Sequence, residues 1–194
     1  MKSGKILFLA ITSVIAFTSN LQPTSGQNPA VAVSIKQKLQ HVESNGKLAQ
    51  PDPSPTTFTE QEINTYLASG VELPTGLQSV RFQEQPGIAT ANTRVDFDRL
   101  KAETNSSNPL LSIFTGIHDI VVVAHGHGAG GKGFVQVDSV SLDGVQIPRF
   151  VLQLFVDKYL RPKYPQVGLD SQFALPDRID TAVVGTHRLT IIQG

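Results

Sequence analysis

Cysteine is absent from the 194 residues. No disulfide can brace the fold, and no lipid-bearing N-terminal cysteine can tether it as a lipoprotein. An excess of charge of one sign is also missing, since 16 Lys and Arg balance 16 Asp and Glu. A near-neutral chain lacks the basic surplus of a nucleic-acid binder. Long apolar runs are lacking beyond residues 6–17, which fall short of the about 20 residues a membrane helix needs. No G-x-S-x-G pentapeptide occurs, so the nucleophile elbow of an α/β-hydrolase is excluded.

What is present begins with Lys2 and Lys5, then the apolar run 6–17, then small and polar residues up to Gly26. This is the layout of a secretory signal peptide. Thr24 and Gly26 fit the small residues before a cut at Gln27. The chain is therefore expected to be exported, to the periplasm or beyond the cell. Cleavage leaves 194 − 26 = 168 residues, and loss of Lys2 and Lys5 leaves 14 basic against 16 acidic groups. That length suffices for one domain burying about 70% of its surface. The expected division is a signal peptide over 1–26, an N-terminal helix with a Pro-rich connector over 27–56, and a single α+β domain over 57–194.

The stretch 117–160 organises the rest. Ile120, Val121, Val122, Val123 and Ala124 form a β-branched apolar run, which predicts a strand covered on both faces. Gly126, Gly128, Gly130, Gly131 and Gly133 follow, and predict a wide glycine turn. On the return strand, Val135 and Val137 share one face while Val140 and Leu142 share the other. That change of phase predicts a bulge at Asp138 and Ser139. Asp143-Gly144 is a tight-turn pair. Pro148 opens a helix in which Phe150, Val151, Leu152, Leu154, Phe155, Val156, Tyr159 and Leu160 leave almost no polar face. Such a helix is expected to be enclosed, or to line an apolar groove.

Upstream, Val31, Ile35, Leu39 and Val42 make the apolar stripe of a helix over 29–43. Pro51, Pro53 and Pro55 make a stiff connector. Thr59 and Glu62 form a capping box, and Phe58 with Ile63 a hydrophobic staple, so a helix starts there and stops at Gly70. Strands are expected over 77–83 and 88–97, a loop over 103–108, and a closing hairpin over 181–184 and 188–192. Runs of strands with segregated helices predict a mainly antiparallel α+β domain.

Candidate chemistry is sparse. Gly126 to Lys132 fits the start of a phosphate loop, but Gly133 stands where Ser or Thr should hold magnesium, and a strand follows instead of a helix. His125 and His127 lie two apart and can point to one side of a strand. They make half of a zinc or copper site, with a further ligand required from His118, Asp119 or Asp138. Asp96, Asp98 and Asp119 read as solvated strand ends rather than paired acid–base carboxylates.

Phe58-Thr59-Glu60-Gln61-Glu62-Ile63-Asn64-Thr65-Tyr66-Leu67 resembles the helix start of the YceB-like bacterial envelope proteins. The similarity extends over residues 57–193, through Leu73-Pro74, Val95-Asp96-Phe97-Asp98-Arg99-Leu100, Ile147-Pro148 and Leu175-Pro176. It implies a long helix partly wrapped by a curved antiparallel sheet, a shape similar to tubular lipid-binding domains. It supplies no catalytic residues. The expected function is thus a non-enzymatic exported carrier of a lipid or acyl chain, with no cofactor, metal, nucleic acid or transmembrane helix. Its apolar groove would be lined by Ile63, Leu67, Val121, Val123, Phe150, Leu154, Phe155 and Tyr159. The competing expectation is an envelope interaction module with a closed core.

Overall fold

The computed structural model describes residues 29–68, 73, 75–104, 115–161, 165 and 168–194. The signal peptide over 1–26, the helix stop at Gly70 and most of the loop over 103–108 lie outside the described residues.

The framework is a nine-stranded sheet with every pairing antiparallel. At its centre is the hairpin of β4 (Ile117–Ala129) and β5 (Lys132–Leu142). Two strands follow one another along the free edge of β4. Its first part pairs with β3 (Ile88–Asp96), and His127 and Gly128 pair with β8 (Ile179–Gly185). β2 (Leu77–Gln85) flanks β3. β9 (Arg188–Gln193) and then β1 (Thr56–Thr59) flank β8. The far edge of β5 is shared by β7 (Asp170–Ala174) and the short β6 (Val145–Gln146).

Alternation and register put the apolar side chains on one face of this sheet. Phe82, Ala91, Val122, Ala124, Val135, Val137, Ala182 and Ile191 all fall there. α1 (Pro29–Gly46) and α2 (Glu60–Ala68) cover one part of it. Ile35, Val42, Phe58, Ile63, Tyr66, Phe82, Ile179 and Ile191 are buried between them. A second cluster joins Ala124, Val135, Val137, Val156 and Leu169. A third joins Val95 and Phe97, with Ile120, Leu142 and Phe155 packed against them. No side chain of the opposite sheet face enters these clusters. One face packed and one face wet is the usual economy of an antiparallel sheet.

Several local expectations hold. The α1 stripe buries Ile35 and Val42 completely. The capping box forms reciprocally: Thr59 N–H donates to the Glu62 carboxylate at 2.8 Å, and Glu62 N–H donates to Thr59 Oγ1 at 3.2 Å. Across β4–β5 the register steps between Val123 and Ala124, which face Ser139 and Val137 and leave Asp138 as the extra residue of a bulge.

Other expectations need correcting. The fold is a mostly antiparallel sheet with few helices, and among the described residues no long apolar helix is wrapped by it. The segment after Pro148 is α4 (Arg149–Phe155), two turns long, continued by a π-helical turn over Val156–Leu160. Only its side bearing Leu152, Phe155 and Val156 meets the sheet. A helix apolar all round needs cover on two sides, and a single sheet layer supplies one.

The wide glycine turn is also absent. β4 and β5 run on to a tight turn at Gly130 and Gly131, with φ of 59° and 71°. Gly126, Gly128 and Gly133 are strand residues. Gly128 lacks a side chain because a Cβ there would come within 2.8 Å of Ala182 and Leu175, and Gly133 because the Phe173 ring lies over it. The run 120–124 is covered on one face only, since Val121 and Val123 point to the uncovered side.

β1, β7 and α3 (Phe97–Thr104) have no counterpart among the expected elements. The Asp96 carboxylate caps α3 by accepting from the N–H groups of Asp98 and Arg99, each at 3.1 Å. Finally, Asn64 of α2 grips the outer edge of β2. Its amide donates to the Phe82 carbonyl and accepts from Phe82 N–H, both at 2.7 Å, as a neighbouring strand would.

Candidate functional site

Of the eight residues expected to line one groove, the seven whose side chains are described do not gather in one place. Ile63 and Leu67 are buried under α2 among the first cluster. Val121 and Val123 lie on the uncovered sheet face. Phe155 packs against the third cluster. Phe150 and Leu154 point outward, 68% and 57% exposed. The Tyr159 side chain lies outside what the structure describes.

What α4 offers instead is a ridge. Phe150 and Leu154 are four apart and so share one helical face. Val145, on the strand just before the helix, is 68% exposed as well. The charges beside them are paired. Arg149 Nη2 lies 2.9 Å from the Asp170 carboxylate, and Arg161 lies 2.6 Å from Asp157. No helix among the described residues is long and apolar enough to cross a membrane.

His125 and His127 do share one side of β4, but they are engaged separately. His125 Nδ1 sits 2.7 Å from the carboxylate of Asp138, the bulge residue. The His127 ring stacks on Phe134 with centroids 4.9 Å apart. His118 turns to Asp143, at 2.5 Å. Among the described residues no group of three such side chains converges to hold a metal ion. The three aspartates stay apart too. Asp96 caps α3, the Asp98 carboxylate accepts from Gly116 N–H at 2.9 Å, and Asp119 faces Arg94.

One titratable cluster had no trace in the sequence, because its members are up to 127 positions apart. Glu60 opens α2, Glu84 lies near the end of β2, and His187 sits in the β8–β9 turn at φ 52°. The Glu60 carboxylate accepts from His187 Nδ1 at 2.7 Å and from Glu84 N–H at 3.2 Å. Backbone bonds tie the same residues: Glu60 N–H donates to His187 C=O at 2.9 Å, and His187 N–H to Glu84 C=O at 3.0 Å. Glu84 is 4% exposed, and its Oε2 has no hydrogen-bond partner.

Glu60 is driven away in acidity from the other two groups. The hydrogen bond from His187 holds the Glu60 carboxyl below its usual range. Burial, and then the charge of Glu60, push Glu84 up to about 7. The bond to Glu60 raises His187. Comparison with known proteins adds no relative, since no family model, curated protein or solved structure matches this chain.

Proposed function

We propose that this chain is an exported, non-enzymatic interaction module that docks a partner protein on the α4 ridge. The observation that carries the reading is the outward placement of Phe150 and Leu154 on one helical face, 68% and 57% exposed. Large apolar side chains displayed together, rather than singly, mark a contact surface. The sheltered-helix carrier loses its main support, because the greasy segment packs on the sheet by one side and leaves Phe150 and Leu154 exposed. A protein partner is favoured over an anionic membrane, since Arg149 and Arg161 are committed to Asp170 and Asp157 instead of forming a basic rim. A ridge of this size suits a modest, exchanging contact rather than a permanent one.

The test is a photocrosslinking residue placed at position 150 or 154 in producing cells, with position 92 on the uncovered sheet face as control. The expected result is one recurrent protein adduct, reproduced with the two purified proteins and lost in a Phe150→Ser/Leu154→Ser variant that melts normally. Recovery of bound lipid from the purified chain, with no protein adduct at either position, would return the carrier reading to first place.

A further inference from the structure

We propose that the junction of the β8–β9 turn with α2 and the end of β2 is a proton-operated clasp. Protonated His187 and Glu84, gathered on ionised Glu60, hold the turn shut in mild acid, and loss of both protons releases it.

The geometry supplies both halves of the device. The turn is fastened by Glu60 N–H to His187 C=O, His187 N–H to Glu84 C=O, and Gly87 N–H to Val184 C=O at 2.9 Å. The side chains over those bonds decide whether they stay made. With Glu84 neutral and His187 cationic, the cluster holds one carboxylate and one imidazolium and is balanced. With both deprotonated, two carboxylates face each other and no cation remains. Glu84 then carries a charge in a place where Oε2 has no donor to solvate it.

Among the described residues no other charge is placed to relieve that state. From α2 only Glu60 reaches Glu84, and Glu62 is occupied by Lys38, Ser34 and Thr59. From β3 the facing residue is Ala89. On β2 itself, Arg81 alternates to the opposite face from Glu84. In the turn, Arg188 lays its side chain along Gly185, leaving His187 as the one cation among the described residues that acts on Glu84.

The pH window follows from the directions of the shifts. Glu84 is raised from 4.5 to about 7, so its contribution is complete below about 4.5 and is lost as pH climbs through about 7. His187 is raised from 6.5, so its contribution is complete below 6.5 and is lost as pH rises through its folded value. Glu60 is lowered from 4.5, so its share is present above 4.5 and is lost only on further acidification. Between 4.5 and 6.5 Glu60 and His187 contribute in full while the share of Glu84 shrinks as pH rises; above neutrality the shares of Glu84 and His187 are both lost and that of Glu60 remains.

The experiment is amide hydrogen exchange on the mature chain at pH 5.5 and pH 8.0, corrected for intrinsic exchange. The N–H groups of Glu60, Gly87 and His187 should lose at least about ten-fold protection at pH 8.0, while Ala124 and Ile191 keep theirs. Glu84→Gln, neutral at every pH, should shrink the loss to the share that His187 carries alone. His187→Asn, which tolerates the left-handed backbone, should lower protection already at pH 5.5. Equal protection of the three amides at both pH values overturns the clasp. So does a loss shared by Ala124 and Ile191, or a Glu84→Gln chain as pH-sensitive as the parent. Should Glu84→Gln not fold, unchanged protection in His187→Asn at pH 5.5 overturns it alone.

Discussion

Asn45 and Gln193 are hydrogen-bonded inside the protein although 148 positions separate them, with Asn45 Nδ2 donating to Gln193 Oε1 at 2.8 Å. The pair ties the last turn of α1 to the final strand. Asn45 also exchanges bonds with the Asp52 backbone, and Gln193 Nε2 donates to the carbonyls of Val42 and Asp177. Both side chains are buried, so deleting one leaves the other's polar atoms stranded. Asn45→Ala and Gln193→Ala should each cost about 2 kcal/mol in urea unfolding. The double variant should cost clearly less than the sum, because the second deletion removes the stranded partner.

Glu62 sets the behaviour in acid. Burial alone would raise its carboxyl, but hydrogen bonds from Lys38, Ser34 and Thr59 outweigh it and the group titrates below 4.5. Its contribution is therefore present above about 4.5 and is lost as pH falls through the lowered value. Stability at pH 7 should drop by about 1–3 kcal/mol in Glu62→Gln, and that variant should show a flatter decline between pH 4.5 and 2.5. A series of urea midpoints across that range measures both.

The two sides of α4 should respond oppositely to truncation. Phe150→Ser and Leu154→Ser remove exposed groups and should stay within about 0.5 kcal/mol of the parent. Val156→Ala opens space against Ala124, Val135 and Val137, and should cost about 1–2 kcal/mol. Thermal unfolding of the three variants tests which side faces the sheet.

The bulge makes a sharper prediction about deletions in β5. Removing Asp138 restores strict alternation, keeps Val137, Val140 and Leu142 inward, and loses only the contact with His125. That chain should fold, with a loss of about 1 kcal/mol or less. Removing Gln136 turns Val137 outward and forces Asp138 into its place, which should cost at least about 3 kcal/mol. Near-ultraviolet and far-ultraviolet dichroism with denaturant titration separates the two outcomes.

Signals carried within a few residues were legible. The Thr59–Glu62 box, the Ile35–Val42 stripe and the phase change at Asp138 are each written in one short window, and each is found in the fold. Features set by distant neighbours were not. Gly128 and Gly133 look like turn residues until Ala182 and Phe173 are seen pressed against them. The sequence Asp170–Ala174 has one aromatic and little pattern, and becomes a strand because β5 offers it an edge. Phe150 and Leu154 read as sheltered, in a core or along a groove, since apolarity on every side of a helix does not say how many layers will cover it. Glu60, Glu84 and His187 come from three separate elements, and no spacing announces their meeting.

The hold of Asn64 on Phe82 has a consequence beyond the stability of one molecule. A bare outermost ribbon is where copies of a chain zip together into fibres. By impersonating the missing neighbour, this amide denies newcomers a foothold on that flank. Self-assembly is thereby discouraged along that border of the sheet.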